Sequence, residues 1–403
     1  MGIKGERSLI ARRVGSLRLE ASTERARSAD ILLAMTGTGE ASVSLDCELI
    51  VLSSGEHLSQ LFTGFGSLRR SKALQASIRR GKGFEPGHLG TRLDVVLNGR
   101  FRLVYDMTDG GTIDPRHGID IADVYFKRSY GAKAIAHPKA KNIFPLGLNY
   151  AVYGPRDWNA TRLYWSLASI RPHNAKAVAI SMTRLSRILS HVLKSNGGRS
   201  PCWIDRFPST PRVNKSPKVL CLTRTWPVHN RLDADTADQW REITAMRVQC
   251  IRLLRSELGP TLIGGLFPSE DAVRDFPDCV VDQAITRKSN YLESVKQSDV
   301  CIATKGLRES NGWRIGEYVA AARAIVTEPL RYTVPGTFSP GRNYLEMTSP
   351  EECVEQTLRL LTDSRLRATM MRANQHYYEA FVRPDALVWN SLSTAAAHLG
   401  IGH

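Results

Sequence analysis

The stretch from Asp299 to Glu328, DVCIATKGLRESNGWRIGEYVAAARAIVTE, restricts the folds open to this chain more than any other. Asp299–Thr304 is a short apolar run of β-formers, and Ala324–Thr327 is a second. Between them lie a glycine-bearing loop, Lys305–Gly312, and a helical segment, Trp313–Ala322, with Ile315, Val319 and Ala322 on one face. Strand, loop, helix and strand in that order make a βαβ unit. Its loop falls at the carboxyl edge of a parallel sheet, where doubly wound folds bind ligands.

The polar residues of the unit say more than its shape. Glu309 lies in the loop and Glu317 one turn into the helix, eight positions apart. The N–H groups near Asn311, Gly312 and Trp313 have no partner inside the helix, so they suit an anion such as a diphosphate. Lys305 adds a cation at the other end of the loop. Carboxylates flanking such a site accept hydrogen bonds from sugar and ribose hydroxyls. The same acids would equally complement a helix macrodipole with no ligand present.

From Asp299 to about Leu392 the chain resembles the donor-binding half of GT-B glycosyltransferases of the group 1 type. The Glu309-x7-Glu317 spacing is similar to that family's glutamate pair. EYVAAARAIVTEPL resembles its helix–strand segment after the second glutamate, and PGTFSPGRNYLEMTSPEECVEQTLRLLTD resembles the segment that follows. Where the family usually carries Phe-Gly in the loop, this chain has Asn311-Gly312. The resemblance implies an α/β protein with two Rossmann-like domains facing a cleft. It implies transfer of a sugar from a nucleotide-diphosphate donor to a hydroxyl, with no cofactor and without a metal. An arginine after the first strand of the donor half is expected to meet the diphosphate. Arg224, after KVLCLT (218–223), resembles it, and Arg231 is the candidate for a second cation. Guanidinium suits bidentate phosphate contact, although a surface arginine is the plainer reading.

Charge locates the other partner. Of the formal net charge of +16, residues 1–216 hold 33 Lys and Arg against 17 Asp and Glu, while the remainder holds 22 of each. A basic first half attracts polyanions, which include nucleic acid, anionic membrane and acidic or lipid-linked acceptors. Arg69, Arg70, Lys72, Arg79, Arg80 and Lys82 fall in 57–82, read as helix or loop, and Lys127 and Arg128 follow a strand-like run. No zinc-finger spacing, aromatic-basic RNA motif or helix-turn-helix accompanies them, so nucleic acid is not the expected partner. The seven cysteines form no CxxC, and those inside apolar runs read as buried thiols of a reducing compartment. No apolar run approaches the roughly 20 residues of a membrane span, and the N-terminus lacks an apolar signal core. The expected location is the cytoplasm, with peripheral contact at the inner face of an anionic membrane.

In order, the chain reads as a basic arm (1–30), an acceptor-side domain (31–194), a linker (195–216), a donor-binding domain (217–384) and a last helix (385–403). Strands are expected at Ile31–Met35, Glu48–Leu52, Leu93–Leu97 and Phe101–Tyr105, and a helix over 176–194. Thr36–Gly39 is a glycine turn short of a dinucleotide fingerprint. Asp106 and Asp109 stand where a strand meets a glycine turn. Carboxylates there serve as a general base for an acceptor hydroxyl, or else as Asx-turn residues. Asp233-Ala-Asp235 spells a metal-binding DxD but follows no apolar strand, and reads as surface. Ser349–Glu352 is a capping box, and the helix after it buries Val354, Leu358 and Leu361. Two other functions fit parts of this pattern: a basic nucleic-acid-binding protein, and a GT-B-shaped sugar-nucleotide epimerase, which needs a donor but no acceptor. The product expected of a transferase is a cell-envelope polysaccharide or glycolipid.

Overall fold

The computed structural model describes residues 45–85, 91–155, 158–159, 161, 164–165, 202–228 and 233–401. The expected arm, the strand at 31–35, the glycine turn at 36–39, the helix at 176–194 and Arg231 lie outside these residues. Asp46–Ser391 forms one compact unit that holds two sheets; the last helix runs out of it at Leu392.

The first sheet has six strands in the order β2-β1-β3-β4-β5-β6. They are β1 (Asp46–Ser53), β2 (Gln75–Glu85), β3 (Arg92–Leu97), β4 (Phe101–Asp106), β5 (Val124–Lys127) and β6 (Ile143–Pro145). Helix α1 (Ser59–Arg70) carries the chain from β1 to its parallel neighbour β2. Strand β3 runs antiparallel to both β1 and β4. Its hairpin to β4 has a three-residue loop, Asn98–Arg100, in which Asn98 and Gly99 take positive φ (52° and 65°) and Arg100 N donates to the Leu97 carbonyl (3.1 Å). The rest of the sheet is parallel. Residues 75–82 are strand rather than helix or loop: Leu74 and Gly81 are buried while Arg79 and Arg80 stay exposed, and an edge strand tolerates such a run of cations.

The second sheet is wholly parallel: β7 (Val219–Thr223), β8 (Leu262–Leu266), β9 (Val300–Ala303), β10 (Ala324–Thr327) and β11 (Leu345–Glu346), in the order β11-β10-β9-β7-β8. Strands β7, β9 and β10 are buried throughout, as a sheet covered on both faces requires. The covering helices are α2 (Ala234–Leu258), α3 (Lys288–Gln297), α4 (Trp313–Ala320), α5 (Pro350–Thr362) and α6 (Ser364–Tyr377). Asp233 caps α2 by accepting from Thr236 N at 2.8 Å, which gives the first DxD aspartate a structural task. Helix α4 stops at Ala320, two residues earlier than periodicity predicts, because Ala322 adopts a left-handed conformation (φ 55°). Ser349 caps α5 by accepting from Glu352 N, but Glu352 returns its carboxylate to Thr348 N instead of Ser349 N.

The buried stripe of α5 is Cys353, Thr357 and Leu360, not Val354, Leu358 and Leu361. The two sets have equal spacing. The helix turns the Thr357 hydroxyl inward, where it bonds the Cys353 carbonyl (2.6 Å), and leaves Leu358 39% exposed. The last helix, α7 (Pro384–Leu399), starts at the proline, where a missing N–H costs nothing. Its first turns lie on α1, since a Cβ at Gly64 would collide with Pro384 and Val388. The Tyr105 hydroxyl meets Ser391 Oγ at 2.9 Å. No helix among the described residues is long and apolar enough to cross a membrane.

Candidate functional site

Chain order fixes where a ligand can enter the second sheet. From β7 the sheet grows outward to β8 on one side and to β9, β10 and β11 on the other. The reversal lies between β7 and β9, and the crevice of a doubly wound sheet opens outside the carboxyl ends of those strands. β7 delivers Arg224 to that point and β9 delivers Thr304 and Lys305. Arg314, the second residue of α4, donates to Thr223 Oγ1 (3.3 Å) and lies over the Phe267 ring. Arg247, from α2, sits behind both loops. It donates from Nε to Thr304 Oγ1 (2.8 Å) and from its two terminal nitrogens to the carbonyls of Arg224 (2.6 Å) and Lys305 (3.0 Å).

Three guanidinium groups therefore crowd one sheet edge, and they disfavour one another. Burial, then the charges of Arg314 and Arg224, brings Arg247 down to about 9; Glu328 opposes the fall. Arg224 is lowered first by crowding from neighbouring atoms and next by Arg314. Arg224 keeps one face in solvent and packs the other on Trp226, so the like charge of Arg314 is the influence that a ligand would relieve. An anion beside Arg224 and Arg314 would relieve that repulsion.

The loop after β9 is tied down from several sides. Lys305 N donates to Glu328 Oε2 (2.8 Å). Arg308 and Glu309 both have positive φ (55° and 58°), a conformation non-glycine residues adopt only when their surroundings impose it. The Glu309 side chain is 41% exposed and pairs with Arg331 at 3.3 Å. Asn311 is 8% exposed and donates to the Tyr332 carbonyl (2.8 Å), but its Oδ1 has no hydrogen-bond partner among the described residues. Gly312 is the N-cap of α4 and brings no side-chain cap; its carbonyl accepts from Ile315 N (3.1 Å), and a Cβ there would make only an ordinary contact with the Thr304 carbonyl (3.8 Å). Trp313 meets the His57 ring edge-on at 4.8 Å. Glu317, 4% exposed, accepts from Lys288 Nζ. The two glutamates thus take separate partners, on the loop after β10 and on α3.

The carboxyl ends of β4 and β5 face this loop. Asp106 has no exposure. Burial pushes its carboxyl upward, but the nearby His117 ring (3.5 Å from Oδ2), the Lys127 charge and hydrogen bonds from Lys127 and Tyr125 more than reverse that and hold it ionised. Tyr125 and Lys127 both donate to Oδ2 at 2.7 Å, and Thr108 donates twice to Oδ1. With its lone pairs so occupied, Asp106 fixes the 108–111 turn and does not reach the crevice. Asp109 is more open: its side chain is 36% exposed and pairs with Arg128. Arg128 also donates to the Asn311 carbonyl (3.2 Å) and lies 3.2 Å from His57 Nδ1. A guanidinium only donates, so Nδ1 accepts and the imidazole carries its proton on Nε2. Burial and then Arg128 lower His57 to about 4, with Asp109 opposing. The Tyr332 hydroxyl closes the contact, accepting from Gly111 N (3.1 Å) and donating to the Arg308 carbonyl (2.9 Å).

Of the residues singled out in the sequence, Arg224, Lys305, Asn311, Gly312 and Trp313 converge, and Asp109 joins them through Arg128. Arg247, Arg314, Lys288 and His57 were not singled out for this site. For Arg247 a signal existed. It lies seven after Trp240, four after Ile243 and seven before Leu254, so it is a charge on the buried stripe of α2. A cavity of about 320 Å³ lined by Ile204, Pro208, Gln375, Tyr378 and Arg383 lies apart from this constellation.

No family model matches the chain, and no curated protein does. Solved structures with a similar course include the C-terminal domain of a group 1 glycosyl transferase, LpcC, from Francisella tularensis (10% identity, TM-score 0.32, 44% of this chain and 95% of that one). Another is HepE from Anabaena in complex with UDP-glucose (13% identity, TM-score 0.34, 87% and 100%). A third is UDP-GlcNAc 2-epimerase from Neisseria meningitidis (10% identity, TM-score 0.34, 70% and 63%). Against three larger proteins the chain spans only 37–44% of their length.

Proposed function

We propose that the chain is a GT-B glycosyltransferase that moves a sugar from a nucleotide-diphosphate donor to a hydroxyl acceptor. The observation that carries this is the cluster of Arg224 and Arg314, backed by Arg247, at the switch point of the second sheet and beside the uncapped start of α4. Mutually repelling cations and a helix start without a side-chain cap, at one sheet edge, suit a diphosphate leaving group, whose developing charge they would stabilise in place of a metal. Glu317 would hold a ribose hydroxyl from within α4. Glu309 would reach the sugar, and Lys305 would add charge at the loop. Asp109, across the crevice, is the carboxylate placed to orient or deprotonate an acceptor hydroxyl. An inverting transfer would make it the base; a retaining one would leave it to position the acceptor.

The acceptor is proposed to be anionic or lipid-linked, met by the basic first half at the inner face of a membrane, in polysaccharide or glycolipid synthesis. Thermal shifts with UDP, GDP, CDP and ADP test the donor site, because a ligand of the folded state alone raises the melting temperature. Donor turnover that needs an acceptor hydroxyl and persists in a chelator supports transfer without a metal. Turnover of donor alone, to its epimer, would assign the epimerase instead.

A further inference from the structure

Arg247 is the cation of the cluster that no ligand reaches. It is 3% exposed, and its donors go to neutral oxygens: one hydroxyl and two carbonyls. Among the described residues it forms no ion pair within 4.0 Å. A buried charge without a close counter-ion is unfavourable. An apolar side chain at this position would continue the stripe of Ile243, Cys250 and Leu254. Packing therefore does not explain the guanidinium.

Its contacts point to a second task. The two carbonyls that Arg247 binds belong to Arg224 and Lys305, the loop residues that end β7 and β9 at the switch point. Carbonyl oxygens turned into the crevice would repel a phosphate. Arg247 holds both carbonyls, while the side chains of the same residues keep contact with solvent, Arg224 exposed and Lys305 beside Glu328 (3.7 Å). Its third contact, to Thr304 Oγ1, fixes the loop after β9 against α2. One side chain thereby sets the spacing of both loops.

We propose that Arg247 is a positioning residue for a bound diphosphate: it draws two backbone carbonyls out of the site, fixes the gap between the loops after β7 and β9, and leaves beneath them a positive charge that a diphosphate completes. The proposal rests on the nucleotide-diphosphate reading. Lysine can replace the charge but not the three-way contact, because one ammonium lacks the planar fork of a guanidinium.

The test uses the full chain as wild type, Arg247→Lys and Arg247→Met. Dissociation constants are measured for UDP, uridine and inorganic pyrophosphate, with the nucleotide changed to whichever diphosphate wild type prefers, alongside melting temperature without ligand. Arg247→Met should weaken the diphosphate and pyrophosphate by about tenfold or more while the nucleoside stays within about twofold. Arg247→Lys should recover part of the loss. Folded variants that weaken diphosphate and nucleoside by the same factor, or neither, overturn the proposal and leave the transferase reading standing. If both variants fail to fold, the role is packing and the proposal falls. A wild type that binds no diphosphate defeats the reading beneath it.

Discussion

Replacing Glu317 by glutamine keeps the side chain's shape and removes its charge. The carboxylate is 4% exposed and paired with Lys288, whose own side chain is 30% exposed and lies 4.9 Å from the Tyr291 ring centroid. Because the ammonium still reaches water, the substitution leaves no bare charge sealed in the core. The stability loss should be about 1–2 kcal/mol, below the ~3–5 kcal/mol of breaking a fully buried pair. The ligand effect should be larger. A hydroxyl bonded to a carboxylate is worth about 1.5–3 kcal/mol, or roughly 10–150-fold in affinity. Ribose is common to a nucleoside diphosphate and its nucleoside, so calorimetry should find both weakened by a similar factor. Lys288→Met should reproduce part of the loss if Lys288 orients the carboxylate, and a double-mutant cycle with Glu317→Gln would measure the coupling. Unchanged affinities in a folded Glu317→Gln variant would reduce the pair to a structural ion pair. A loss confined to the diphosphate would refute the ribose assignment.

Arg224→Ala should cost a nucleoside diphosphate about 1.5–3 kcal/mol of binding and its nucleoside little; equal losses would remove Arg224 from the phosphate site. His57 titrates at about 4 when folded against 6.5 as the ordinary value, so between those values the unfolded chain binds a proton that the folded chain does not, and stability falls as pH falls. His57→Gln should flatten that slope in urea midpoints taken from about pH 7 to 4.5, and parallel curves for the two proteins would show that His57 is not the group responsible. The exposed cations Lys72, Arg79, Arg80 and Lys82 should bring the protein down with anionic but not neutral liposomes, less so as salt shortens the Debye length below roughly 8 Å. Indifference to lipid charge at low salt would end the membrane version of the acceptor proposal.

Much of the second sheet was legible in the sequence because fully buried parallel strands read as unbroken apolar runs. Val219–Thr223 and Ala324–Thr327 are such runs, separated by glycine-bearing loops and amphipathic helices. The first sheet was less legible. Its edge strand β2 carries Arg79, Arg80 and Lys82, and a solvated strand edge looks like a solvated helix face when only charge is read. The stripe of α5 was displaced by one residue because Val354 and Cys353 begin equally spaced sets, and only the surrounding packing chooses between them. In the site, glycine and helix-start signals are local and could be found. Arg128 joining Asp109 to Asn311, and Arg247 joining Arg224 to Lys305, depend on contacts between distant segments. Asp106 and Asp109 are three residues apart and equal in type; only tertiary structure buries one beside Lys127 and leaves the other partly exposed beside Arg128.

The proposed transferase requires a diphosphate to bind in the crevice outside β7 and β9. Calorimetric titration of the wild-type chain with UDP, GDP, CDP and ADP, each beside its nucleoside, measures it directly. One site per chain is expected, with at least one diphosphate bound more than about tenfold tighter than its nucleoside, as a single charge-assisted contact already requires. Four diphosphates that bind no better than their nucleosides would contradict it.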